Sequence, residues 1–512
     1  MAPLNKEPTV LSSTEKNTDS GVDTAWQYLQ SHAHAHTPLT FSSPTSSPTS
    51  LRALRRKIDW HIVPLMFLCY TLQFLDKVIY NYAAVMGISS DLSLRGNDFS
   101  NIATFFFVAY LVFEIPNSFF LQKVPASKWL GLNVVLWGVA TACGAAATNY
   151  RTLLVSRVFL GIFEATIGPS LLLISSQWYT KSESAPRFSF WYLGLGVGQI
   201  VGGAVSYGFQ HVERGSGTMA GWRMMFLVLG IVTVVVGVAV GVWLPDTPMK
   251  ATWLTDEEKV ALIRHVSVNR TGIEGTKFRP KEILEAALDP QIWMLTLAVV
   301  LLSVSSGVVT TYSSTLIRNL GYRPKQAALM NMPSGVVSIF FTLLVGYGIR
   351  KRSHRWAWVI ACIIPGIIGG ALMSFLPTSE RSGILAGIYL VNAIVAPLPV
   401  YYNWISSNVS GYTKRPFSAS LIAGSFSIGN IIGPQTFQAR DAPEYRPAKI
   451  AVMGTQAGCA LVTFCLFLYY AWQNKKRKSM ANRNHPNDDR YMDVETWQGR
   501  TDREMEEFVY VY

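Results

Sequence analysis

Long apolar runs, separated by short polar connectors, make up most of the chain. The first six lie at about residues 60–84, 101–122, 127–146, 151–174, 187–210 and 223–244. After a polar stretch, six more follow at about 291–313, 326–347, 356–376, 383–404, 417–437 and 449–472. Each approaches the ~20 residues that an α-helix needs to cross a bilayer. The pattern predicts an all-α, polytopic membrane protein of twelve transmembrane helices in two six-helix bundles. Six runs, an interruption and six runs again is a weak internal repeat. The expected units are a disordered tail at 1–50, an N-terminal bundle at 51–244, a central loop with a short helix at 245–290, a C-terminal bundle at 291–472 and a second tail at 473–512.

Composition points the same way. Half of the 512 residues are hydrophobic and only 15% are charged, against about 25% in an ordinary soluble domain. A net charge of +13 suggests nucleic acid at first sight. The basic residues cluster in the connectors between apolar runs, so no nucleic-acid partner is expected. Arg52, Arg55, Arg56 and Lys57 precede the first run. Lys123 and Lys128, Lys181 and Arg187, Arg350 to Arg355, Lys414 and Arg415, and Lys475 to Lys478 occupy alternate connectors. The opposite connectors are sparser and mixed in sign, as in Glu213 with Arg214 and Glu380 with Arg381. Basic residues collect on the cytoplasmic side, so both termini of a multi-pass membrane protein are expected in the cytoplasm. The expected setting is the plasma membrane, with a vacuolar or other internal membrane as the alternative, and the expected working unit is a monomer, neither of which the charge pattern decides. The sequons at Asn269 and Asn408 would then face the cytoplasm, unglycosylated.

Residues 1–50 are rich in Ser, Thr and Pro, and with no apolar stretch no cleavable leader is expected. His32, His34 and His36 alternate there without further ligands. The five cysteines all fall inside predicted spans without metal-ligand spacing. No metal and no cofactor are expected. In the central loop, Thr255-Asp-Glu-Glu258 has the form of a capping box opening a short amphipathic helix. That helix serves either as a strap between the halves or as a spacer.

Candidate chemistry lies in the ionisable residues inside the spans. One charge at mid-membrane costs about 2.5–3.5 kcal/mol on insertion scales. Arg157, Gly161, Glu164 and Gly168 are spaced by four, three and four, which puts them on one helix face. Arg157 and Glu164 are two turns, or ~10 Å, apart along the axis, so direct pairing is not expected. Asp76 and Lys77 are adjacent in the first span and point ~100° apart, so they do not simply pair with each other. Glu114 lies in the second span. These residues form a charged wall confined to the first half. The second half supplies polar and aromatic groups, among them Tyr312, Asn392 and Asn403. Asp76, Lys77, Glu114, Arg157, Glu164, Tyr312, Asn392 and Asn403 are therefore the candidate residues of a solute pathway. The competing reading is that the charges only tie the first, second and fourth spans together. Gly194, Gly198 and Gly202 in the fifth span suit close helix packing. No phosphate-binding loop and no clustered metal ligands occur, so the chain does not read as an enzyme.

Several motifs resemble known ones. Arg157-Val-Phe-Leu-Gly161 resembles the fourth-helix motif of the major facilitator superfamily. Gly221-Trp-Arg, Leu244-Pro-Asp-Thr-Pro248, Leu254-Thr-Asp-Glu-Glu258, Asn408-Val-Ser-Gly411-Tyr-Thr-Lys-Arg415, Gly429-Asn-Ile-Ile-Gly-Pro434, Asp441-Ala-Pro-Glu-Tyr445 and Phe74-Leu-Asp-Lys77 are similar to the fungal allantoate permease family within the anion:cation symporters. The superfamily's usual Gly, Asp and Arg loop between spans two and three is replaced by Gln122-Lys-Val-Pro-Ala-Ser-Lys-Trp129. The resemblance implies proton-coupled uptake of a small organic anion, such as allantoate, another carboxylate, a vitamin or a small peptide, by alternating access. Its alternatives are export of a metabolite or toxin by the same fold, and a transporter-like nutrient sensor.

Overall fold

The computed structural model describes residues 48–212, 219–267, 279–351, 354–411, 413–484, 501–505 and 508–512. The histidines at 32, 34 and 36, the pair Glu213 and Arg214, and the sequon at Asn269 lie outside the described residues. Every regular element among the described residues is a helix. Leaving aside elements of three or four residues, in the first half they are α1 (Pro48–Met86), α2 (Asp98–Lys123), α3 (Ala126–Gly144), α4 (Tyr150–Glu164), α5 (Ile167–Trp178), α6 (Lys181–Tyr192), α7 (Gly194–Phe209) and α8 (Gly221–Trp243). The connector contributes α9 (Asp256–Ser267) and α10 (Pro280–Ala287). The second half holds α11 (Pro290–Asn319), α12 (Pro324–Lys351), α13 (Arg355–Phe375), α14 (Arg381–Val391), α15 (Pro397–Asn408), α16 (Lys414–Gln435) and α17 (Arg446–Asn484). Short breaks divide three spans, so α4 with α5, α6 with α7, and α14 with α15 act as the fourth, fifth and tenth spans.

Among the described residues, ten helical stretches are long and apolar enough to cross a membrane. The other two predicted spans fall on α3 and α16, which are 19 and 22 residues long. They meet the length but carry more polar residues, such as Lys128 and Asn133 or Ser418 and Asn430. Both are packed inside the bundle, α3 against α8 and α16 against α11 and α2, where a face need not be as apolar as one that meets lipid.

The repeat suggested by the run pattern is visible in the packing. In the first half, span one packs on five, two on four, and three on six. In the second half, seven packs on eleven, eight on ten, and nine on twelve. The halves meet where five lies on eight, two on eleven and one on seven. The contact between five and eight requires glycine. A Cβ at Gly196 would stand 2.6 Å from the Gly335 carbonyl oxygen, and one at Gly335 would collide with the Gly196 carbonyl in turn. Gly194, Gly198 and Gly202 instead face α1, at Thr71, Leu75 and Tyr82. The glycines of this span thus serve packing on two sides.

Charged side chains at the end of the bundle that holds the chain termini tie α1 to its neighbours. Arg187 binds Asp59 through two nitrogens, at 2.5 and 2.7 Å. Arg55 and His265 both reach Glu183, at 2.5 and 2.9 Å. Lys57 reaches Glu258 at 2.7 Å, and Glu258 and Thr255 close the capping box reciprocally. Where the usual charged loop is replaced, Ser127 donates to Asp246 and fixes α3 to the end of α8. Burial alone would raise the Glu183 carboxyl, yet hydrogen bonds from His265 and from Thr180 hold it below its ordinary value. A depressed carboxylate stabilises the fold above the ordinary range and loses that effect as pH falls through the folded value. Glu183→Gln should therefore lower the melting temperature at pH 7, with the difference from the parent closing only as pH falls through the depressed folded value.

Candidate functional site

The break after Glu164 ends α4 at the depth where the charged residues gather. Asn149 starts this helix by accepting from the Thr152 amide at 3.0 Å, and Thr152 returns the bond to the Asn149 amide. One face of α4 then meets α1 and α2. Gly161 allows the approach to α2, because a Cβ there would overlap the Phe106 carbonyl and stand 3.3 Å from Ala109. Gly161→Ala should cost about 1–3 kcal/mol through forced backbone shifts, read as a lower melting temperature in detergent.

Arg157 is buried, 5% exposed. One guanidinium nitrogen donates to the Asp76 backbone carbonyl at 3.3 Å. The guanidinium lies over the rings of Tyr80 and Phe226, 4.9 and 4.8 Å from their centroids. Such stacking holds a cation in place without using its hydrogen-bond donors. The other terminal nitrogen, Nη2, is buried and has no hydrogen-bond partner. An unsatisfied buried donor on a charged group costs at least about 1–3 kcal/mol, so it is a feature that calls for a ligand.

The remaining charges sort into partners that the sequence does not reveal. Glu164, fully buried, forms an ion pair with Lys77 at 2.8 Å. The Lys77 ammonium also lies 5.5 Å from the Tyr110 ring centre. Asp76 turns the other way and accepts from Trp137 and, at 3.3 Å, from Thr141, both on α3. Adjacent in sequence, Asp76 and Lys77 thus serve different helices, and Arg157 and Glu164 do not pair. Trp137, Thr141 and Phe226 emerge only from the structure, since nothing in an apolar run marks them.

A cavity of about 20 Å³ lies between the halves, room for roughly one water molecule. Lys77, Tyr80 and Arg157 line it from the first half, with Phe106 and Phe107, and Thr310 and Thr311 line it from the second. Above it, away from the termini, the halves are sealed. Asn81 binds Ser313 and the Ser314 amide at 2.7 and 3.1 Å. Gln435 binds Asn101 and Thr104 at 3.1 and 2.8 Å, and Asn97 binds Gln438 at 2.7 Å. Tyr312 belongs to this seal: its hydroxyl meets Ser100 at 2.5 Å, and its ring stacks on Phe437 at 4.2 Å.

Three candidates lie elsewhere. Glu114 is half-buried on α2, one turn from Tyr110, and is not among the lining residues. Asn392 is buried in the turn before α15 and donates to the Ile388 carbonyl at 2.9 Å. Asn403 is exposed on α15, and its backbone carbonyl accepts from Ser407. The structure therefore puts Lys77 and Arg157 on the cavity, with Glu164 paired to Lys77 and the Asp76 carboxylate turned to α3, puts Tyr312 at the seal, and leaves Glu114, Asn392 and Asn403 apart from the cavity.

Comparisons with known proteins agree with this architecture. The model of the Major Facilitator Superfamily matches residues 66–434. The thiamine pathway transporter THI73 of Saccharomyces cerevisiae is 36% identical, over 89% of this chain and 86% of its own length. The allantoate permease of the same yeast is 31% identical, over 85% of this chain and 82% of its own. Among solved structures, a bacterial homologue of the human lysosomal transporter Spinster, inward-facing and occupied, superposes with a TM-score of 0.58 at 19% identity, covering 81% of this chain and 96% of that one.

Proposed function

Because the chain belongs to the Major Facilitator Superfamily, we propose that it is a proton-coupled carrier that takes up a small organic anion by alternating access. One observation carries the reading: the unpartnered Nη2 of a buried arginine, held by two aromatic rings, at the cavity between the halves. An anionic group is the natural partner for that donor, since Arg presents a planar fork suited to carboxylate. Phe106 and Phe107 offer an organic body apolar contact, and Thr310 and Thr311 offer hydrogen bonds from the opposite half. At about 20 Å³ the cavity is too small for an organic solute, so the halves must separate to admit one. The proposed opening is toward the end opposite the seal, where α1 begins. The basic connectors favour the cytoplasm for that end.

Asp76 and Glu164 are the proton carriers in this reading. Each is a carboxyl within reach of the arginine wall, and protonating either leaves a positive charge for the anion to neutralise. Glu114 lies farther along α2 and would act only as a relay. The relatives named for allantoate and for the thiamine pathway support a small polar metabolite as the solute class. The proposed setting is the plasma membrane, with both termini in the cytoplasm and one chain sufficient for transport. Cells expressing the chain should accumulate one member of a labelled panel of carboxylates, ureides and vitamins, more at pH 5 than at pH 7.5. Equal uptake at both values across the panel would count against proton-coupled import.

A further inference from the structure

Residues 501–505 and 508–512 lie against the terminal face of the second half, in a site built for them. Asp502 is fully buried. It forms an ion pair with Lys414 at 2.7 Å and accepts from Gln291 at 3.1 Å and from the Tyr510 hydroxyl at 2.9 Å. Lys414 is itself fully buried and also meets Asp289 and Glu285, at 2.8 and 2.9 Å. Two asparagines read the segment's backbone as a neighbouring strand would. Asn408 takes both the amide and the carbonyl of Val511 at 2.8 Å, and Asn474 takes both from Tyr510, at 2.8 and 2.9 Å. Trp404 adds a third bond to the Val511 carbonyl at 2.7 Å. Arg477 binds the carbonyls of Asp502, Met505 and Phe508 within 3.0 Å.

The groups that hold the segment come from the ends of four spans and from the connector. Gln291 begins α11, Trp404 and Asn408 end α15, Lys414 begins α16, and Asn474 and Arg477 lie on α17. Glu285 belongs to α10, and Asp289 follows it. Paired amide recognition of backbone, together with one buried carboxylate on one buried ammonium, is the chemistry of a peptide-binding groove. We propose that this face is a docking groove for residues 501–505 and 508–512, and that the docked segment clamps the terminal ends of spans seven, ten, eleven and twelve and the connector helix α10 into one unit. Asn408, the acceptor of a sequon, has both amide atoms committed to that segment and carries no glycan in this state.

The test uses the full chain with a specific protease site inserted between residues 485 and 500. After cleavage in detergent, the fragment that carries 501–512 should stay with the body through size exclusion. Asp502→Lys, which sets two ammonium groups against each other, should release it, with retention falling at least tenfold. Separation of the parent fragment on cleavage would overturn the groove. Hydrogen exchange supplies the second readout. Amides at 405–415 should exchange at least tenfold faster once the fragment is lost, while α2 and α4 keep their rates. Unchanged rates at 405–415 would overturn the clamp. Neither readout depends on solute, so both stand apart from the transport reading.

Discussion

Replacing Arg157 by alanine is expected to abolish uptake while leaving the amount of carrier in the membrane unchanged. The substitution removes a buried donor that has no partner and stands at the cavity. Deleting one partner of a buried charge pair typically costs about 3–5 kcal/mol, so a loss of roughly a hundredfold or more is expected in the concentration dependence of uptake. Arg157→Lys separates charge from geometry. It keeps the cation but gives up the planar fork and its stacking between Tyr80 and Phe226, so weak uptake with a raised half-saturation concentration is expected. Full uptake by Arg157→Ala would remove this residue from the pathway.

The pair Lys77 and Glu164 should give the second large effect, and one that separates transport from structure. Lys77→Met alone leaves a fully buried carboxylate without its ammonium, and a loss of about 3–5 kcal/mol is expected. Lys77→Met combined with Glu164→Met removes both charges, and apolar replacement of a whole buried pair is often neutral for stability or better. The double variant should regain the parent melting temperature yet fail to concentrate solute against a gradient. If it transports like the parent, the pair is a structural tie between α1 and α4.

What could be read from the sequence followed from local constraints. Span positions are set by the bilayer's thickness and by the cost of exposing backbone to lipid, and both act on contiguous residues. The Arg157 to Gly161 spacing is also local. Its meaning became physical only when Gly161 was seen against Phe106 on another helix. Gly221-Trp-Arg is similar: the motif is visible in sequence, but its use is not. Trp222 donates to Asp91 at 2.7 Å and Arg223 to the Ala145 carbonyl at 2.6 Å, which pins two loops at the far end of the first half.

Partner choice was not legible. Lys77 and Glu164 are 87 residues apart in the chain, and no periodicity links them. Trp137 reads as one more apolar residue until its indole is found on Asp76. Asn392 and Asn403 stood out as polar residues in an apolar span, yet one satisfies its own helix and the other is exposed. The polar composition of the stretch after residue 473 also concealed the packing of its last residues, where paired hydrogen bonds and the ion pairs of Asp502 and Arg503 accompany a few buried side chains, Met505 and Tyr510 among them.

The most direct measurement is solute entry into proteoliposomes that contain the purified carrier, with an imposed pH gradient, acid outside, as the sole driving force. The expected result is transient accumulation above the external concentration, abolished by a protonophore and absent with Arg157→Ala. Equilibration to the external concentration and no higher, at the same rate with and without the gradient, would contradict a carrier that couples an anion on Arg157 to a proton.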